Sequence, residues 1–252
     1  MQKPELLCIG HRGAMGHAPE NTLQSVRQAL DLGAPCIEVD VHQVDGRLVV
    51  FHDHRLERVT GASGYLLDQS FAQLRSLDAG GGQRIPTLEE VCEVVDGRAC
   101  LNIEVRGAGS AAPLAGLIAE LVAGGWDREA ILVSSFDHRQ LRELKRLDHR
   151  VRVGVLLCSL PVDDAAAAQA LDAFSVHPAL DFVDRQFVED AHRRGLNVYV
   201  YTVNHPEDIA RMQALGVDGV FTDFPERVLA VHAQGEAARR WIGRPAGLSD
   251  EC

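Results

Sequence analysis

The sequence predicts an α/β fold, a (β/α)8 or TIM barrel with a short insertion after the second strand. Three observations carry this. Eight short apolar runs alternate with eight amphipathic runs along the whole chain. The length, 252 residues, suits one such barrel. No GxGxxG follows the first apolar run, which lowers the case for a doubly wound open sheet.

The strand runs are LLCIG (6–10), CIEVDV (36–41), ACLNIEV (99–105), AILVSSF (130–136), VRVGVLLC (151–158), AFSVHP (173–178), NVYVYTV (197–203) and GVFTD (219–223). A further extended run, RLVVFHD (47–53), follows the turn-like VDG (44–46) and predicts a hairpin extension of the second strand. Helices are expected over 20–32, 87–95, 111–124, 138–147, 163–171, 184–194, 206–214 and 225–240. Start signals mark several of them. Pro86-Thr87 precedes LEEV, Pro206 opens EDIARMQAL and Pro225 opens ERVLAVHA. Gly33, Gly97, Gly195 and Gly216 mark the stops. Residues 54–85 are longer than an ordinary loop and are read as a small insertion near the barrel mouth. The division expected is one domain over 1–241 and a C-terminal tail over 242–252.

Composition narrows the function classes. Hydrophobic residues make up 46%, enough for a sizeable core. The formal charge of −11 argues against non-specific nucleic-acid binding and against docking on an anionic membrane. An anionic substrate must therefore be drawn by local cations or a metal. No run approaches the ~20 apolar residues of a membrane span, and MQKPELLCIG is too short an apolar run for a signal peptide. The six cysteines are scattered, with no CxxC, and read as core residues of a reduced, cytoplasmic protein. A monomer or homodimer is expected.

In barrels of this class, chemistry sits at the carboxyl ends of the strands. Here those ends are polar. The first run ends at His11-Arg12, the second carries Glu38 and Asp40, and its extension ends at His52-Asp53. The third carries Glu104 and Arg106, the sixth ends at His177, the seventh at Thr202 and Asn204, and the eighth at Thr222-Asp223. Alternate strand residues share a face, so Glu38 and Asp40 are neighbours, as are Glu104 and Arg106. Three carboxylates converging inside a barrel would resist ionisation unless a cation joined them. All-oxygen ligation predicts one hard divalent ion, Mg²⁺ or Ca²⁺. His177 and Asn204 are candidates for phosphate or substrate contact. Asn21 is expected to cap the first helix, with Glu20 at its positive end, and both to brace the first loop and the metal shell. Thr222-Asp223 is read as a cap for the last helix, and Ser135 has no nucleophile elbow around it.

Taken together, HRG (11–13), PENT (19–22), EVDV (38–41), DG (45–46), VVFHD (49–53), NIEVR (102–106), SF (135–136), TVN (202–204) and TDFP (222–225) resemble the glycerophosphodiester phosphodiesterase family, within the phosphatidylinositol-phospholipase-C-like barrels. The resemblance implies that His11 and His52 are the catalytic pair. It implies that Glu38, Asp40 and Glu104 bind the metal and that Arg12 binds phosphate. Arg106 stands where the family usually has lysine, keeping the charge but changing the reach. The turn between Val41 and Gly46 is shorter than the family's and lacks its threonine, which leaves His42 as an unexplained neighbour.

The reaction implied is metal-dependent hydrolysis of a small glycerophosphodiester to glycerol 3-phosphate and an alcohol. One histidine would deprotonate the nucleophile and the other protonate the leaving oxygen; His11 is assigned as base and His52 as acid. The nucleophile is the glycerol's own vicinal hydroxyl or water. Three other readings compete. A lipid-active phospholipase C- or D-like relative would want an apolar rim, for which the insertion is the available place. A non-catalytic phosphate-binding barrel would be expected to lose a histidine or carboxylate. An enolase-type barrel would want a lysine base, and Lys3 and Lys145 lie outside the strand runs.

Overall fold

In the computed structural model, residues 5–231 are described. The strands are β1 (Leu7–Gly10), β2 (Cys36–Val44), β3 (Arg47–Val50), β4 (Cys100–Val105), β5 (Ile131–Ser135), β6 (Arg152–Leu157), β7 (Ser175–Pro178), β8 (Asn197–Val200) and β9 (Gly219–Thr222). All but β3 are parallel, and they close into a ring because β1 pairs with both β2 and β9. β3 is the exception. It runs antiparallel to β2 through a two-residue turn in which Asp45 and Gly46 both have positive φ, 50° and 76°. That is the backbone which a tight hairpin between right-twisted strands demands. The (β/α)8 barrel and the hairpin extension both match the expectation.

Strand alternation sorts the core into two layers. Ile37, Val39, Val41, Leu101, Ile103 and Val105 face outward and pack with the helices. Leu7, Ile9, Cys36, Cys100, Leu132, Tyr199 and Phe221 form a separate cluster, the floor of the barrel interior. In β2 and β4 the inward positions above that floor are Glu38, Asp40, Asn102 and Glu104. The parallel register pairs Glu38 with Asn102 and Asp40 with Glu104. The mouth is therefore acidic while the floor is apolar.

The helices fall where the amphipathic runs lie, with boundaries shifted at several. The first spans Leu23–Asp31, not 20–32, because Asn21 takes φ of 57° and Thr22, not Asn21, is the cap, accepting from Ser25 N. The run 163–171 yields only Ala166–Gln169. Its alanines favour helix but bring little apolar area to bury. The last helix is Pro225–Leu229. Ala230 and Val231 follow it as a turn, and the remaining expected span, 232–240, and the tail 242–252 lie outside the described residues. The insertion holds short helices at Glu57–Thr60 and Phe71–Ser76 around its own core of Leu56, Leu66, Leu74 and Ile85, which is shared with Val49 and Phe51 of the hairpin. Among the described residues, no helix is long and apolar enough to cross a membrane.

Candidate active site

Glu38, Asp40 and Glu104 each offer an oxygen, and these lie within 4.8 Å of one another. Glu38 and Asp40 are fully buried. Burial, followed by the charges of Asp40 and Glu104, pushes the Glu38 carboxyl well above the usual carboxylate range. Burial and Asp40 push Glu104 up to about 7. Glu38 Oε1 is buried with no hydrogen-bond partner. Crowded carboxylates, one with an orphaned oxygen, fit a hard divalent cation, whose charge would remove the repulsion.

Each carboxylate is held in place by a neighbour. Arg12 adopts φ of 49°, which turns its backbone N–H to donate to Glu38 Oε2 at 2.8 Å. The next residue has to be glycine: at Gly13, with φ of +82°, a Cβ would stand 2.2 Å from Ser25 Oγ. Asn21 clamps Asp40, its Nδ2 donating to Oδ2 at 2.8 Å and its Oδ1 accepting the Asp40 N–H at 3.1 Å. Arg106 Nη1 donates to Glu104 Oε1 at 2.6 Å. Arg12 Nη1 donates to Glu20 Oε1 at 2.6 Å, and its Nε lies 3.4 Å from Asp40 Oδ2. Glu20 and Asn21 thus reach Arg12 and Asp40 directly.

Two imidazoles flank this cluster, each with a carboxylate on Nδ1. His11 Nδ1 donates to Asp223 Oδ1 at 2.7 Å. His52 Nδ1 donates to Asp53 Oδ1 at 2.5 Å. The pattern fixes one tautomer, with Nε2 the unprotonated nitrogen of each neutral ring, and His11 Nε2 accepts from Arg12 Nε at 3.3 Å. Burial lowers the His52 pKa below the usual imidazole value. The Arg58 guanidinium and His52 hold Asp53 well below the usual carboxylate range against a partial burial that raises it. Beneath His52, the buried His42 donates from Nε2 to the His52 carbonyl at 3.2 Å, so the neighbour left unexplained by the sequence supports the loop carrying His52.

Two expected substrate contacts are placed elsewhere. Asn204 spends its amide on Asp223: Nδ2 donates to Oδ2 at 2.6 Å, and Oδ1 accepts from Asp223 N at 2.9 Å and Thr222 Oγ1 at 3.2 Å. It anchors the carboxylate behind His11. His177 points inside the barrel, fully buried against Tyr199 and Phe221, where its Nε2 shares a hydrogen bond of 2.8 Å with Ser175 Oγ. Ser135 Oγ donates to Val105 O at 2.7 Å and is no nucleophile. The roles of Asp223, Asp53 and Arg58 escaped the sequence reading. TDFP and VVFHD contained two of them, but nothing local distinguishes a helix cap from a histidine partner.

A cleft of about 650 Å³ opens beside the carboxylates, lined by His54, Arg106, Phe136, Asp137 and Arg139 among others. The comparisons with known proteins agree with this geometry. Residues 11–227 match the glycerophosphoryl diester phosphodiesterase family. The chain belongs to that family. It is a phosphodiesterase of the family's barrel type. A glycerophosphodiester phosphodiesterase of Caldanaerobacter subterraneus is 35% identical over 242 residues, 91% of this chain and 98% of that one. Another, from Bacillus altitudinis, is 32% identical over 239 residues, covering 90% and 98%. The structure of an Oleispira antarctica phosphodiesterase in complex with the product sn-glycerol-3-phosphate superposes with a TM-score of 0.82 at 31% identity, covering 90% of this chain and 96% of that one.

Proposed function

We propose that this phosphodiesterase hydrolyses glycerophosphodiesters to glycerol 3-phosphate and an alcohol, with His11 and His52 as its acid–base pair and one divalent cation, Mg²⁺ or Ca²⁺, held by Glu38, Asp40 and Glu104. One observation carries the reading. Three carboxylates with ligand atoms within 4.8 Å are flanked by two histidines whose Nδ1 atoms are both committed to aspartates. The Oleispira antarctica relative, bound to sn-glycerol-3-phosphate, supports that product.

A phosphodiester is an anion, so it repels a nucleophile and needs its developing charge spread. When bound, the cation would supply that neutralisation and polarise a phosphoryl oxygen. Arg12 and Arg106 bind the phosphate through the N–H groups not already given to Glu20 and Glu104. His11, with Nδ1–H on Asp223, accepts the nucleophile's proton at Nε2. His52 delivers a proton from Nε2 to the leaving oxygen. The alcohol is assigned to the cleft lined by Arg106 and His54. The nucleophile is the glycerol's vicinal hydroxyl, giving a cyclic phosphate that water then opens, or water itself. Trapping the cyclic product separates the two.

A lipid-side reading is favoured by one further observation. The loops after β5, β6 and β7 expose Phe136, Leu160, Val162 and Phe182 at the mouth, with Val162 100% exposed. The apolar rim that a lipid-active relative would want is therefore here as well as on the insertion, which exposes Tyr65 and Leu67. It suits an alcohol carrying an acyl chain.

The deciding experiment is a coupled assay for glycerol 3-phosphate over a panel of glycerophosphodiesters, with released choline followed for lysophosphatidylcholine, and with EDTA and metal add-back. Metal-dependent release is expected. No release from any member, with or without metal, would sink the reading.

A further inference from the structure

Arg58 lies outside both the carboxylate cluster and the cleft lining, and its side chain is half exposed. Yet its guanidinium makes four hydrogen bonds. Nε and Nη2 donate to Asp53 Oδ2 and Oδ1 at 2.6 and 2.9 Å. Nη1 and Nη2 donate to Glu20 Oε2 and Oε1 at 2.6 and 2.8 Å. Asp53 accepts the Nδ1–H of His52, and Glu20 accepts from Arg12. One planar fork therefore closes a continuous chain, His52–Asp53–Arg58–Glu20–Arg12, between a reacting imidazole and a phosphate-binding guanidinium.

The geometry explains why a guanidinium is needed. Without it, Asp53 and Glu20 would present two carboxylates to each other with no cation between them. Asp53 would swing toward solvent, and His52 Nδ1 would lose its fixed acceptor. Glu20 would keep Arg12 as its remaining cationic partner and draw it away from the phosphate. The insertion delivers this side chain. Helix Glu57–Thr60 is too short to stand alone. It is anchored by the adjacent Leu56, which is buried in the insertion core with Leu66, Leu74 and Ile85. At the far tip of the insertion, a Cβ built on Gly80 would stand 3.0 Å from Pro19 Cβ, so the tip rests on the loop that carries Glu20.

We infer that Arg58 is a positioning residue, fixing His52 and Arg12 relative to each other, and that presenting it is the task of the insertion. This rests on the acid–base and phosphate-binding roles proposed above.

The test uses the full-length, metal-supplemented protein and the variants Arg58→Ala, Arg58→Lys and His52→Gln. In Arg58→Ala, kcat on the best glycerophosphodiester is expected to fall about 10–100-fold, with a smaller rise in KM. Arg58→Lys should fall between, since a point charge cannot span both carboxylates. Added methylguanidinium should restore part of the Arg58→Ala turnover with saturation, because the site is open to solvent. Histidine ¹⁵N spectra, with His52 assigned by its loss in His52→Gln, should show Nδ1 protonated in the wild type and a tautomer mixture in Arg58→Ala. Wild-type kcat in Arg58→Ala, or an unchanged His52 tautomer with no methylguanidinium rescue, would overturn the inference. A wild type inactive on every glycerophosphodiester would instead defeat the proposed function, and the tautomer comparison would still decide the role of Arg58.

Discussion

His11 Nδ1 donates to Asp223 Oδ1 at 2.7 Å, joining residues 212 positions apart in the chain. Asn204 grips the second oxygen of that carboxylate at 2.6 Å, so the aspartate is fixed at both ends. Asp223→Asn should keep the shape but lose the charge and the tautomer preference. A fall of about 10²–10⁴-fold in kcat is expected. Steady-state kinetics at saturating metal check it, and KM should move far less than kcat.

His52→Ala should discriminate between leaving groups. With a poor leaving alcohol, such as the choline of glycerophosphocholine, kcat should drop about 10²–10⁴-fold. With a p-nitrophenyl diester, whose leaving oxygen needs no proton, the drop should be much smaller. Equal losses on both substrates would show that His52 does not act as the acid.

Removing the cation should be visible in stability as well as turnover. The three carboxylates repel when bare, and burial already raises Glu38 and Glu104. A cation at 100 times its Kd adds about 2.7 kcal/mol. The thermal midpoint should therefore rise with added Mg²⁺ or Ca²⁺ and fall with EDTA. Asp40→Asn should lose most of that response.

His177 gives the protein an acid sensitivity at a fully buried position. Burial lowers its pKa from 6.5 to about 3. The unfolded imidazole takes up a proton below about 6.5 and the folded one does not, so unfolding binds a proton between the two values. Stability is unaffected by this group above that window and falls within it as pH drops, by up to about 1.4 kcal/mol per pH unit. His177→Gln keeps an acceptor for Ser175 and removes the titration. Urea midpoints measured at pH 7, 5 and 4 should decline less steeply in the variant than in the wild type.

The carboxylate cluster was legible because two positions on one strand and one on its neighbour share a face, and alternation fixes faces without coordinates. Eight alternating runs likewise carried the barrel. His177 shows where that logic thins. A polar residue late in a strand can stand at the rim or be walled in by its neighbours, and here Tyr199 and Phe221 wall it in. Asn204 and Asp223 were read as a substrate contact and a helix cap because each role suits the same residue type. Only the contact between them tells which holds. Arg58 gave no sign at all: it sits in an aperiodic insertion, and its worth lies in two partners, one of them 38 positions away.

β1 lies between β2 and β9, the two strands that close the ring. During synthesis, every proposed metal ligand has left the ribosome by Glu104, yet Asp223 and β9 come more than a hundred residues later. A nascent chain therefore carries a cluster of acids with an open seam and an unsupported His11. His11 gains that carboxylate partner only when the last strand pairs with the first.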